Sequence, residues 1–143
     1  MSSAIKIAIA ADHGGYNLKE EIKAFTFDNL TIEWIDLGTH STDSVDYPDY
    51  SHKMAETLKN NEVDRGILIC GTGIGISIAA NRYPHIRSGL CTDTTMARLT
   101  RQHNTLGTDV CGGRHTRQHR IGRHRPAAGR RRRIRLRQCT DAQ

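Results

Sequence analysis

Two short apolar runs, each cut off by glycine, constrain this chain more than any other feature. Ile5–Ala11 (IKIAIAA) is apolar except for Lys6 and stops at Asp12-His13-Gly14-Gly15. Arg65–Cys70 (RGILIC) is apolar after its first residue and stops at Gly71-Thr72-Gly73-Ile74-Gly75. Runs of this length without alternation belong to strands buried on both faces, and such strands occur in parallel sheets covered by helices on either side. The intervening segments supply those helices. Leu18, Ile22 and Phe25 recur at helical spacing in a helix read over Tyr16–Asn29. Thr31–Leu37 reads as a second strand. Pro48 suits the first turn of a helix that carries Tyr50, Met54, Ala55 and Leu58. Ile74–Asn81 reads as a short helix, Ile86–Thr92 as a fourth strand, and Thr92 or Asp93 can cap a helix over Thr94–His103. Leu106–Cys111 is a weak fifth strand. The alternation predicts an α/β fold: a three-layer, doubly wound, Rossmann-like parallel sheet with strand order 2-1-3-4-5.

Composition narrows the function. The 143 residues fit one domain. No apolar run is long enough to span a membrane, and no basic region followed by an apolar stretch opens the chain, so a cytoplasmic protein without membrane attachment is expected. Aromatics make up 5% of the residues, too few for a stacking platform for single-stranded nucleic acid. Cys70, Cys91, Cys111 and Cys139 form no CxxC pair, which argues against zinc and against a disulfide framework. His40, His52 and His85 stand singly and read as surface or satisfied histidines. The net charge of +6 is not spread evenly. Residues 1–104 hold five Lys, five Arg and 13 acids, a net of −3; residues 105–143 hold 11 Arg, no Lys and two acids, a net of +9.

Ligands of open parallel sheets sit beyond the carboxyl ends of strands, where the strand order reverses. Strands one and three are neighbours in the predicted order, so Asp12–Gly15 and Gly71–Gly75 open into one crevice. The second loop is no dinucleotide fingerprint, because GxGxxG requires glycine where the chain has Ile76. It lacks the Gly-Lys-Ser/Thr of a P-loop, and Ile76 also stands where a thiol-phosphatase loop carries arginine. The loop therefore reads as a compact nest of backbone N–H groups for a negative oxygen, with a thiol at its lip. A thiolate beside a helix N-terminus is stabilised, so Cys70 is a candidate nucleophile or general base; a strand-end cysteine packed in the core is the plainer alternative. Asp12 and His13 can also serve simply as a turn that caps the first helix. His103 ends the fourth helix, where a surface or capping role is ordinary.

Four motifs, DHGG (12–15), DYPDY (46–50), GILICGTGIGISIAANR (66–82) and RQHN (101–104), together resemble the ribose-5-phosphate isomerase B family, which includes the galactose-6-phosphate isomerase subunits. The resemblance covers residues 4–104. It implies an aldose–ketose isomerase, an intramolecular oxidoreductase that interconverts ribose 5-phosphate and ribulose 5-phosphate in the pentose phosphate pathway. Such a reaction opens the sugar ring, moves a proton between C1 and C2 through a cis-enediolate, and holds the phosphate so that these carbons meet the base. The resemblance implies Cys70 as that base. Members without this cysteine carry a Glu at the position of Ile76, so Ile76 accords with the cysteine variant. Thr72 is implied in proton shuttling on the enediolate oxygens and His103 in ring opening. Backbone N–H groups of Gly71, Gly73 and Gly75 would stabilise the oxyanion. Asp12 is implied as a contact to sugar hydroxyls or the ring oxygen, His13 to phosphate, Asn104 to substrate, and Tyr47 as a pocket wall. The family uses no metal or organic cofactor. It forms dimers, sometimes tetramers, in which both subunits line each active site, so a homodimer binding a small sugar phosphate is expected.

The resemblance stops where the charge changes sign. An ungapped continuation keeps Gly112-Gly113-Arg114, with Arg114 matching a phosphate-binding arginine; a rival alignment sets Gly112–His115 on a terminal GGRH motif. Under either, the family's final amphipathic helix is missing. The chain thus divides into an isomerase domain, 1–114, and an Arg-rich tail, 115–143, without periodicity and expected to be disordered. A catalytically impaired sugar-phosphate or nucleic-acid binding protein with an aberrant C-terminus is the alternative function. An Arg-only tail without Lys matches a GC-rich gene read out of frame, which resequencing and the mass of the purified protein test. If the tail is instead a polyanion-binding arm, RNA affinity should fall steeply with salt and vanish on deletion of 115–143; salt-titrated binding of both chains to RNA measures this.

Overall fold

The computed structural model describes residues 4–104 and, as backbone, 108–112. Strands β1 (Ile5–Ala11), β2 (Ile32–Gly38), β3 (Arg65–Cys70), β4 (Ser88–Cys91) and β5 (Thr108–Gly112) alternate with helices α1 (Tyr16–Lys23), α2 (Tyr47–Lys59), α3 (Ile74–Ala80) and α4 (Thr94–Asn104). Every strand pair is parallel. Arg114 and the tail 115–143 lie outside the described residues.

The α/β class and parallel pairing are as expected, but the last two strands exchange places. The order is β2-β1-β3-β5-β4 rather than 2-1-3-4-5. Thr108 of β5 stands opposite Gly66 of β3 on one side and Ser88 of β4 on the other. The crossover through α3 skips one strand position, and the return through α4 fills it. A right-handed return puts α4 on the α1 face of the sheet. Apolar periodicity reports burial and not which strand is the neighbour, so both orders look alike in the sequence. The weakly signalled fifth strand is consequently interior, and the four-residue β4 takes the edge, where little backbone is left to pair with another chain.

The period of two along each strand divides the core into two layers. Ile7, Ile9, Ala11, Ile67 and Ile69 pack with Leu18 and Ile22 of α1. Ala8, Ala10, Leu68 and Cys70 pack with Tyr50, Met54 and Ala55 of α2 and Ile76 and Ala80 of α3. The small Ala8 and Ala10 let α2 lie close, and Met54 fills the space a side chain at Gly66 would occupy. Ser51, fully buried, donates to the Ile76 carbonyl at 3.2 Å and ties α3 to α2. α1 stops at Lys23, short of the predicted Asn29, because the following Phe-Thr-Phe-Asp-Asn are weak helix formers; Phe25 and Phe27 pack edge to face instead. Asp93, not Thr92, caps α4, accepting the Met96 N–H at 2.9 Å. His52 pairs with the Tyr83 hydroxyl at 3.0 Å and His85 with the Ala55 carbonyl at 2.8 Å, as satisfied histidines should.

One feature of the α1 layer has no sequence signal. Lys19 is 0% exposed, and its Nζ donates to Asp36 Oδ2 at 2.6 Å and Glu20 Oε1 at 2.8 Å. Lys23 joins the same two carboxylates. Burial alone would push the Asp36 carboxyl up, but hydrogen bonds from Lys19, Lys23 and the Gly38 N–H outweigh it and hold the group at about 2. An unfolded aspartate takes its proton near pH ~4. The stabilisation is therefore complete above that pH and is lost as pH falls towards about 2. Asp36→Asn should flatten the dependence of stability on pH within that window, as read from urea midpoints at stepped pH.

Candidate active site

The carboxyl ends of β1 and β3 lie side by side, with Ala11 opposite Ile69. The turn after β1 lies directly on the end of β3. Asp12 N–H donates to the Ile69 carbonyl at 3.1 Å, and a Cβ on Gly15 would stand 2.7 Å from that oxygen. A Cβ on Gly14 would come within 3.1 Å of the Gly71 nitrogen. Both glycines are thus required by close backbone approach, and through them the two loops meet as expected.

Cys70 ends β3, 4% exposed, with its sulfur under the glycine loop. Gly73 N–H donates to Cys70 Sγ at 3.0 Å, placing a partial positive charge against the sulfur. Gly73 holds φ at 83°, a left-handed conformation that glycine adopts without strain, and this turns the loop into α3. Ile74 N–H donates to Thr72 Oγ1 at 3.3 Å, which fixes the exposed Thr72 above the loop. Two of the nest's amides, those of Gly73 and Ile74, are therefore directed at a sulfur and a hydroxyl.

Asp12 is buried, and its Oδ1 accepts the Gly15 N–H at 3.0 Å, so it does cap the turn into α1. His13 is exposed, and its Nδ1 sits against the main chain of Val45, 3.2 Å from the Val45 nitrogen and 3.3 Å from the Val45 carbonyl oxygen. Tyr47 opens α2, and its ring lies over Gly75, with the phenol oxygen 3.1 Å from where a Cβ there would stand. Asp12, His13, Tyr47, Cys70, Gly71, Thr72, Gly73 and Gly75 thus share one edge of the sheet.

His103 and Asn104 do not join them within one chain. α4 starts at that edge and runs away for 11 residues, roughly 15 Å. Asn104 instead lines a cleft of about 260 Å³ with Asn81, Arg87, Ser88, Gly89 and Thr100, at the opposite edge of the sheet. Arg114 is outside the described residues. The residue that sequence reasoning missed is Val45, which orients His13 through its backbone and leaves no side-chain signature.

The profile of the ribose/galactose isomerase family matches residues 7–121. The chain belongs to that family. It is 47% identical over 109 residues to ribose-5-phosphate isomerase B of Escherichia coli, a match spanning 76% of this chain and 72% of that one. Its fold is similar to the solved ribose 5-phosphate isomerase of Thermotoga maritima, with a TM-score of 0.74 at 51% identity, covering 78% of this chain and 77% of that one. It is also similar to the Clostridium thermocellum ribose-5-phosphate isomerase B, with a TM-score of 0.73 at 55% identity, covering 77% of this chain and 74% of that one. Among the described residues, no helix is long and apolar enough to cross a membrane.

The packing of Tyr47 on Gly75 yields a test. Gly75→Ala should push the ring aside at a stability cost of about 1–3 kcal/mol, and Tyr47→Ala should relieve that cost in the double variant. Thermal melts of the four chains measure the coupling.

Proposed function

We propose that this chain is an aldose–ketose isomerase interconverting ribose 5-phosphate and ribulose 5-phosphate. The observation that carries the reading is the Asp12–Gly15 turn packed against the glycine loop, with the Cys70 sulfur held beneath that loop by the Gly73 amide. The opened sugar lies across this edge with its phosphate towards His13. Cys70, as thiolate, takes the proton from C2 of the aldose. The C2–H electron pair becomes the C1–C2 double bond of the enediolate, and the O1 carbonyl gains the charge. Thr72 passes protons between the two oxygens. Cys70 then returns its proton to C1 as O2 becomes the ketone. Loop amides facing the developing oxyanion lower the barrier by a few kcal/mol per donor, an order-of-magnitude figure. Asp12 and Tyr47 bound the sugar, and Arg114 is assigned to the phosphate.

The reading requires His103 and Asn104, and they lie too far along α4 to serve the Cys70 of their own chain. The active unit we infer is therefore a homodimer in which a second copy brings them to the glycine loop. Two apolar residues flank that loop on α3, Ile74 at 55% and Ile78 at 61% exposed, and favour such a contact. Residues 1–114 carry the activity in this reading, 115–143 take no part in it, and a reducing cytoplasm suits an unpaired catalytic thiol.

Ribulose 5-phosphate formation by the purified, folded protein tests the assignment, and a folded parent without activity overturns it. Cys70→Ala should lower kcat by about 10²–10⁴-fold. A shared site makes a second forecast. Cys70→Ala and His103→Ala, each inactive alone, should regain part of the parental activity when unfolded and refolded together, because a mixed dimer contains one intact site. No recovery in demonstrated mixed dimers would overturn the sharing.

A further inference from the structure

Lys19 is the one fully buried charged side chain among the described residues, and the chemistry above makes no use of it. A buried ion pair is a poor stabilising device, since apolar residues of the same size do as well or better. Its surroundings indicate another role. Lys19 sits in the second turn of α1, and its N–H donates to the Gly15 carbonyl at 3.0 Å, so its backbone is continuous with the Asp12–Gly15 turn. Its side chain crosses to Asp36 at the end of β2. There the register shifts, Ile9 facing Asp36 but Ala10 facing Gly38, a bulge of the kind that re-aims side chains beside active sites. The bulge lets Asp36 Oδ1 accept the Gly38 N–H at 2.9 Å, with Gly38 held at a φ of 101°. The next amide, Thr39 N–H, donates at 2.8 Å to the carbonyl of Ala11, the residue before Asp12. The loop that begins there returns to orient His13 through Val45.

We propose that Lys19 and Asp36 are positioning residues that bracket the Asp12–His13 turn, Lys19 from the helix side and Asp36 from the strand side. Neither touches substrate. They set where His13 presents its ring, and through it the affinity for a sugar phosphate. The functional half of this statement rests on the isomerase reading; the structural half does not.

The experiment uses the double variant Lys19→Met/Asp36→Leu, which replaces the pair with apolar side chains and removes the acceptor for Gly38. Two signals are read in the full chain. The first is the ¹⁵N spectrum of the His13 ring, assigned with His13→Asn, in which the parental Nδ1 and Nε2 signals report the ring as Val45 holds it. The second is the steady-state rate with ribose 5-phosphate. The expected result is His13 ring signals shifted from the parental ones and KM raised about tenfold, with kcat within about twofold of the parent, because the Cys70 loop is untouched. A purely structural pair gives a folded double variant with parental ring signals and parental KM, and either of these overturns the proposal. If the parent itself does not isomerise ribose 5-phosphate, the isomerase reading fails and the ring signals alone decide the positioning. Should the double variant not fold, Lys19→Met, in which Asp36 keeps Lys23, is read by the same two signals.

Discussion

The candidate site depends on one contact between two stretches of backbone. The turn leaving β1 lies so close to the end of β3 that a Cβ on Gly15 would meet the Ile69 carbonyl at 2.7 Å. That approach sets Asp12 against the end of β3 and lets it extend the hydrogen bonding of β1 to β3. A larger residue at either glycine would lift the turn off the sheet. The loops would then be neighbours in topology but not in chemistry. Glycine here does more than permit a turn; it sets the width of the crevice between two strand ends.

The sequence carried this arrangement in a legible form. An apolar run ended by two glycines, and another ended by a glycine-rich loop, are local signals, and parallel pairing of β1 with β3 follows from them by general rules of α/β sheets. The order of β4 and β5 was not legible, because inward-facing residues are the same whichever strand lies beside them. The helical spacing runs past the end of α1 at Lys23, since Phe25 continues the pattern of Leu18 and Ile22 while its own neighbours disfavour the helix. The site followed the same division. Cys70, Thr72 and the glycines belong to one loop and stay together in space. His103 and Asn104 share only a motif resemblance with them, and an 11-residue helix carries them to the opposite edge. Val45 acts by its main chain, which no side-chain pattern reveals.

The charges illustrate a related limit. Lys19 lies between Leu18 and Ile22 on the buried side of α1, a position where pattern reading expects an apolar residue. Only the structure shows that Asp36, 17 residues later, projects from the end of β2 to meet it. Both residues looked like ordinary members of a mildly acidic body, yet they link the helix behind the DHGG turn to the loop in front of it. The net charge of the chain says nothing of this, because the cluster of Lys19, Lys23, Glu20 and Asp36 sums to zero.

The interior place of β5 has a consequence for the order in which the molecule can be assembled. β1, β2 and β3 have all their mutual partners once residue 70 has been made. Among the described residues, β4 pairs with β5 alone. It is complete at Cys91, yet its partner strand comes only with residues 108–112. The half of the sheet that bears the Asp12–Gly15 turn and the glycine loop can therefore close first, while the far edge is sealed last, by the strand that borders the change in the chain's composition.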